Sequence, residues 1–122
     1  MPAARARSIA LKVPLYGARV RAFAAETTRA ARDAAARRFA ELPALAADDA
    51  AAVLRAGDEV VAVLPLDASP GLVAHEALHL AVAVLERAGV PVSAKADEAV
   101  AYVLQWLVDE LSAWLARCRA AR

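Results

Sequence analysis

The stretch that decides the fold is residues 69–92, SPGLVAHEALHLAVAVLERAGVPV. Ser69 can cap a helix, and Pro70 suits the first helical position because a missing N–H costs nothing there. Gly89 is typical of the residue that ends a helix. The pattern therefore predicts a helix from 70 to about 88, with the only two histidines of the chain in its middle.

Further elements are predicted on both sides of this helix. They are strands at 9–15 and 18–24, a helix at 26–42, strands at 51–54 and 60–66, and a last helix at 97–117. The first strands alternate apolar and polar side chains, whereas 60–66 is almost continuously apolar and indicates a strand covered on much of both faces. The order ββ-α-ββ-α-α predicts one α+β domain spanning 1–122, with a small antiparallel or mixed sheet and a loose arm at 1–8.

Several polar residues and prolines mark the expected ends of these elements. Thr27 or Thr28 is expected near the start of the helix at 26–42, and Pro43 follows its end. Asp48-Asp49 predicts a polar turn before the second hairpin. Ser93 or Asp97 is expected to cap the last helix.

The charge of the chain is nearly balanced overall but unevenly distributed. The net charge of +1 argues against a nucleic-acid partner. Residues 1–40 carry nine basic and two acidic side chains, a net of +7, whereas residues 41–116 carry three basic and twelve acidic ones, a net of −9. A basic part that packs on an acidic part of the same domain explains this asymmetry, and a docking face for an acidic partner is the alternative.

Neither a membrane span nor a signal peptide is predicted. The longest apolar stretch, 99–107, is too short to cross a bilayer, and the first residues lack an apolar block. The single cysteine, Cys118, cannot form a disulfide within the chain. A cytoplasmic location is the expectation, with no membrane partner.

The motif that carries chemistry is His75-Glu76-Ala77-Leu78-His79, an HExxH pattern. Residues i and i+4 lie on one face of a helix, so both imidazoles can bind one tetrahedral Zn²⁺ ion. Glu76 then lies beside the open coordination position, where it can act as general base for a metal-activated water. Burying two histidines and a glutamate in an apolar helix without a ligand would be costly.

Two histidines do not complete a catalytic zinc site, which usually has three protein ligands and one water. The chain has no third histidine, so the third ligand is expected to be a carboxylate. Glu98 is favoured, because it follows a short break between two helices at 89–91 and lies in the first turn of the second helix. Asp97 is the alternative ligand, although it is better suited to complement the helix dipole.

At this point the sequence resembles the gluzincin group of zinc metallopeptidases, whose signature is HExxH with a downstream glutamate ligand. The longer run from 75 to 107, HEALHLAVAVLERAGVPVSAKADEAVAYVLQWL, is similar to small HExxH proteins encoded by phages and prophages. The resemblance implies a minimal zincin-like fold, with His75, His79 and Glu98 as ligands and Glu76 as the base. It also implies that strand 60–66 is a sheet edge to which an extended peptide could add.

One position departs from the gluzincin pattern. Tyr102 stands one turn after Glu98, where many members have an aspartate that orients a histidine ligand. The phenol could orient a ligand or stabilise an oxyanion, or it could simply pack. The chain is also much shorter than those enzymes, which leaves little room for deep specificity pockets.

The sequence therefore predicts a zinc-dependent hydrolase that acts on a peptide bond in a peptide or protein substrate. A non-catalytic phage or prophage component, in which zinc only stabilises the fold, is the main alternative. Hydrolysis of a non-peptide amide is a third possibility. The apolar last helix could also serve a homodimer, and the basic part could bind a phage-protein partner.

Overall fold

The computed structural model describes residues 5–40, 42 and 51–122. Its strands and long helices are β1 (Arg7–Lys12), β2 (Arg19–Ala25), α1 (Thr28–Arg38), β3 (Ala52–Ala56), β4 (Glu59–Pro65), α2 (Pro70–Arg87) and α3 (Asp97–Ala120). A single turn of 3₁₀ helix, Ala94–Ala96, precedes α3. The predicted order of elements and the α+β class are confirmed. None of the helices in the described ranges is long and apolar enough to span a bilayer.

The strands form one mixed four-stranded sheet in the order β1-β2-β4-β3. The outer strands β1 and β3 run antiparallel to their neighbours, while β2 and β4 are parallel. The expectation that strand 60–66 is a sheet edge is wrong, because β4 lies between β2 and β3. Its residues 60–64 are all buried, and such a continuous apolar run needs covering layers on both faces. Within the described residues, β3 is the edge on that side.

Helices cover both faces of this sheet. Since alternate residues of a strand point to opposite faces, Val20 and Val60 pack in the core with α2 and α3, whereas Phe23, Val61 and Val63 pack with α1. The larger core is the one under α2 and α3. It positions α2 along the sheet, next to β3.

The start of β1 and the end of α1 differ from the prediction. Arg7 and Ser8 belong to β1, so these two positions are not part of a loose arm. The first helix ends at Arg38 rather than at 42, because Phe39 is extended (φ −127°, ψ 94°) and turns its ring towards Phe23, with ring centroids 6.3 Å apart. Pro43 and the predicted Asp48-Asp49 turn lie outside the described residues.

Side-chain caps fix the starts of two helices as predicted. Thr27 Oγ1 accepts a hydrogen bond from the Ala30 N–H, and Ser69 Oγ accepts one from the Leu72 N–H, both at 3.1 Å. The predicted cap of α3 is wrong. Ala96 occupies that position, and neither it nor Ser93 makes a side-chain capping bond.

Candidate metal site

The two sides of α2 have opposite character. Val73, Ala77, Leu80 and Val84 are buried in the core, and successive members are four or three positions apart. His75, on the other side of the helix, is exposed over 65% of its side chain. The apolar spacing of the helix therefore determines that the histidines face outward.

His75 and His79 lie one turn apart, as the i, i+4 spacing predicts. Their Nε2 atoms are separated by 3.3 Å, and their ring centroids by 4.9 Å. Two nitrogen ligands at 2.0–2.1 Å from a tetrahedral ion lie about 3.3–3.4 Å apart, so the imidazoles already have the separation that a shared zinc requires. In the absence of a metal, the same distance fits a hydrogen bond between the rings.

Glu76 is the one buried charged side chain within the described ranges, with 5% of its surface exposed. Its Oε1 lies 4.0 Å from His75 Nε2. The expected burial cost of the motif thus falls on this carboxylate rather than on the two exposed histidines. A buried carboxylate at the floor of a histidine-lined groove is positioned to exchange a proton with a molecule bound there.

The histidines open onto a groove of about 400 Å³ between α2 and the edge strand β3. The opposite wall is formed by Ala51 and by residues 52, 53 and 55 of β3, and the helix contributes residues 82, 83 and 86 beyond the motif. Arg55 and Glu86 form an ion pair across the groove. The sequence prediction missed both residues. Glu86 could have been found, because it lies seven residues after His79 on the same helical face, whereas Arg55 depended on the strand order.

Glu98 and Tyr102 are both exposed on α3, away from the side that buries Val103 and Leu107. Neither side chain lines the groove. Over the described ranges 5–40, 42 and 51–122, no group of three or more His, Cys, Asp or Glu side chains could hold a metal ion. The structure thus brings together His75, Glu76 and His79, and it does not bring Glu98 or Tyr102 to them.

The gluzincin resemblance depends on the HExxH motif and on Glu98, and both remain predictions as metal-site residues. The geometry of the histidine pair and the groove beside β3 are the structural observations that bear on the site. Comparison of the chain with models of protein families, with curated proteins and with solved structures gives no match in any of the three.

Proposed function

We propose that this protein is a zinc-dependent hydrolase that cleaves a peptide bond in an extended peptide. The observation that carries the proposal is the 3.3 Å separation of the His75 and His79 Nε2 atoms on an exposed helix face. This separation suits two ligands of one tetrahedral ion without any rearrangement of the helix. The buried carboxylate of Glu76 in the same groove supports a catalytic rather than a purely structural site.

The proposed ligands are His75, His79 and Glu98. Glu98 stays the third candidate because the only cysteine, Cys118, is buried near the far end of α3 and no other histidine exists. Glu98 does not line the groove, so its carboxylate would have to move towards the histidines to complete the site. When bound, zinc would polarise the scissile carbonyl and lower the pKa of a coordinated water.

In this mechanism, Glu76 acts as general base and proton shuttle. Its carboxylate accepts a proton from water in the groove and donates it to the departing amine. Burial of the side chain limits competing solvent, which strengthens its interactions with a bound substrate. Tyr102 does not line the groove, so its phenol could assist as a positioning group or as an oxyanion donor only after moving towards the histidines.

The edge strand β3 is the proposed binding surface for the substrate backbone. Within the described residues, no strand pairs with its outer edge, whose N–H and C=O groups could bind an extended peptide as another strand. The groove between β3 and α2 would then place the added peptide beside the histidines. This combination of an edge strand, an HExxH helix and a following helix supports a minimal zincin-like packing.

The zinc content of the protein, purified without a histidine tag, is the first test. Elemental mass spectrometry should give about one zinc per chain, and the affinity should fall by about tenfold or more in His79→Ala and Glu98→Ala. Asp97→Ala is the matched control, because it removes a neighbouring exposed carboxylate and should keep the metal. Absence of zinc after reconstitution would refute the metal site, and loss in Asp97→Ala alone would assign the third ligand to Asp97.

The Glu76→Gln variant tests the role of the base. Hydrolysis of a peptide library should fall by about 10²–10⁴-fold, while zinc binding and the thermal midpoint are retained, because the amide keeps the shape but cannot accept the proton. Glu86→Gln, in the same groove, is the control and should stay active. Full activity of Glu76→Gln would contradict the mechanism.

A non-catalytic zinc site is the second candidate, and the exposure of both histidines favours it. An exposed i, i+4 pair can be completed by side chains of a partner protein, including a phage protein or a second copy of this chain, which closes the coordination sphere. Such a site predicts zinc-dependent association in sedimentation experiments and no hydrolysis by the wild type. A zinc-loaded monomer that hydrolyses peptides would exclude it.

A further inference from the structure

The α1 face of the sheet is only partly covered. α1 has 11 residues and packs Ala31 and Ala35 against the part of the sheet that contains Phe23 and Val63. The starts of β2 and β4 extend beyond this cover. A concavity of about 320 Å³ lies there, next to the end of α1.

Four basic side chains and one acidic side chain line this basic concavity: Lys12, Arg19, Arg21, Arg38 and Glu59. The Arg21 guanidinium donates to Glu59 Oε1 at 3.4 Å, which satisfies that pair. Among the residues that the structure describes, no ion pair is made by Lys12, Arg19 or Arg38. One small concavity therefore carries three positive charges that have no ion-pair partner among the described residues.

The placement of two of these charges is unfavourable for folding. Lys12 and Arg19 are direct partners in the β1–β2 register, and like charges at such positions destabilise a strand pair. A lysine on an edge strand prevents pairing with another chain, which explains Lys12 on β1. This role does not explain Arg19, which lies on the interior strand β2. Arg38 lies in the last turn of α1, where a cation complements the helix dipole, and its guanidinium lies 5.6 Å from the centroid of the Phe39 ring. A bound anion would remove the repulsion.

We propose that the basic concavity is a binding site for a compact, multiply charged oxyanion of the phosphate type. Guanidinium groups bind phosphate oxygens through paired N–H donors, and two arginines with a lysine match the charge of an oligophosphate better than that of one carboxylate. An extended nucleic acid fits less well, because the lining contains no aromatic side chain for base stacking and the chain carries only +1. An acidic peptide spreads its charges along its length, whereas these cations converge.

Isothermal titration with inorganic tripolyphosphate, at low and at physiological salt, tests the site on the full chain. We expect one anion per chain, with binding weakened about tenfold or more by Arg19→Gln and by Arg38→Gln. Arg117→Gln removes an exposed arginine from α3 and is the matched control, which should bind as the wild type does. Glu59→Gln should bind several-fold more tightly, because it removes the one carboxylate of the lining.

A second measurement separates a binding role from a structural one. Without ligand, Arg19→Gln should raise the thermal midpoint, because it removes the repulsion from Lys12. With tripolyphosphate present, the wild type should gain more in thermal midpoint than this variant gains. No binding by the wild type would overturn the proposal, and so would equal weakening in Arg117→Gln. Tighter binding of an oligoglutamate peptide or of DNA at matched charge would overturn it in favour of a docking surface.

Discussion

The two faces of the sheet differ in the size of the side chains that hold their helices. Under α2 and α3 the core contains Leu64, Leu80, Leu107 and Leu111, all fully buried. Under α1 the helix contributes only the methyl groups of Ala31 and Ala35 to the buried layer. Because stabilisation grows with the apolar area removed from water, the helix with the HExxH motif is held far more firmly than α1.

This difference has a functional consequence. Two ligands of one metal must keep their separation to within a few tenths of an ångström, and a helix fixed by large side chains provides such rigidity. The α1 side needs less precision, since flexible Lys and Arg side chains can adjust to an anion. The tightly packed face thus carries the candidate metal site, and the thinly covered face carries the basic concavity.

The largest expected effect comes from the core of the α2 face. Leu80→Ala should lower the free energy of unfolding by about 2–5 kcal/mol, since it removes a fully buried side chain and leaves a cavity. Urea denaturation measures this loss. Leu78→Ala, two residues earlier on the exposed side, is the control and should change stability by about 0.5 kcal/mol or less. Similar losses for both variants would mean that α2 is not anchored through Leu80.

Much of this arrangement could be predicted from local patterns. Ser69-Pro70 and Gly89 determine the limits of α2, and i, i+4 geometry determines that His75 and His79 are neighbours, without reference to the rest of the fold. The order of elements followed from runs of apolar residues separated by turn residues. These features depend on residues that are close in sequence.

The features that were predicted wrongly or not at all depend on distant contacts. Strand order decides that β4 is interior and that β3, with Arg55, borders the histidines, and no local pattern contains that order. The end of α1 depends on the contact of Phe39 with Phe23, which competes with the helix propensity of Ala40, Glu41 and Leu42. The relation of Glu98 to the histidines depends on how α3 lies against α2.

The α1 face should respond more weakly than the α2 face to loss of a large side chain. Phe39→Ala removes a half-buried ring that makes an edge contact with Phe23, and the expected loss is about 1–2 kcal/mol. Urea denaturation measures this loss. A separate zinc titration should show unchanged binding, because α2 is not affected. A loss as large as that of Leu80→Ala would contradict the contrast between the two faces.

The helix caps provide a matched pair on the two faces. Ser69→Ala and Thr27→Ala each remove a 3.1 Å capping bond, and each should cost about 0.5–2 kcal/mol. Only Ser69→Ala should also weaken zinc binding, because it loosens the first turn of α2 before His75. Ser93→Ala is the control, since Ser93 makes no side-chain capping bond and its loss should be close to zero. Equal weakening of zinc binding by both cap variants would mean that the α2 cap has no special role in positioning the histidines.

The smallest expected effect on stability concerns a surface ion pair between Asp67 and Arg122. A hydrogen bond from Arg122 to Asp67, 2.9 Å from Nη2 to Oδ1, lowers the pKa of Asp67 below its ordinary value of 3.8. Desolvation opposes this lowering, and the positive charges of Arg122 and Arg119 add to it. Because the folded pKa is below the unfolded one, the pair stabilises the protein above pH 3.8, and this contribution disappears as the pH falls through the lowered value. At pH 6 the wild type should therefore have a slightly higher thermal midpoint than Asp67→Asn, and this difference should vanish in acid. The difference should also shrink in high salt, because salt screens exposed ion pairs. A difference that persists unchanged at low pH would mean that Asp67 acts through packing rather than through its charge.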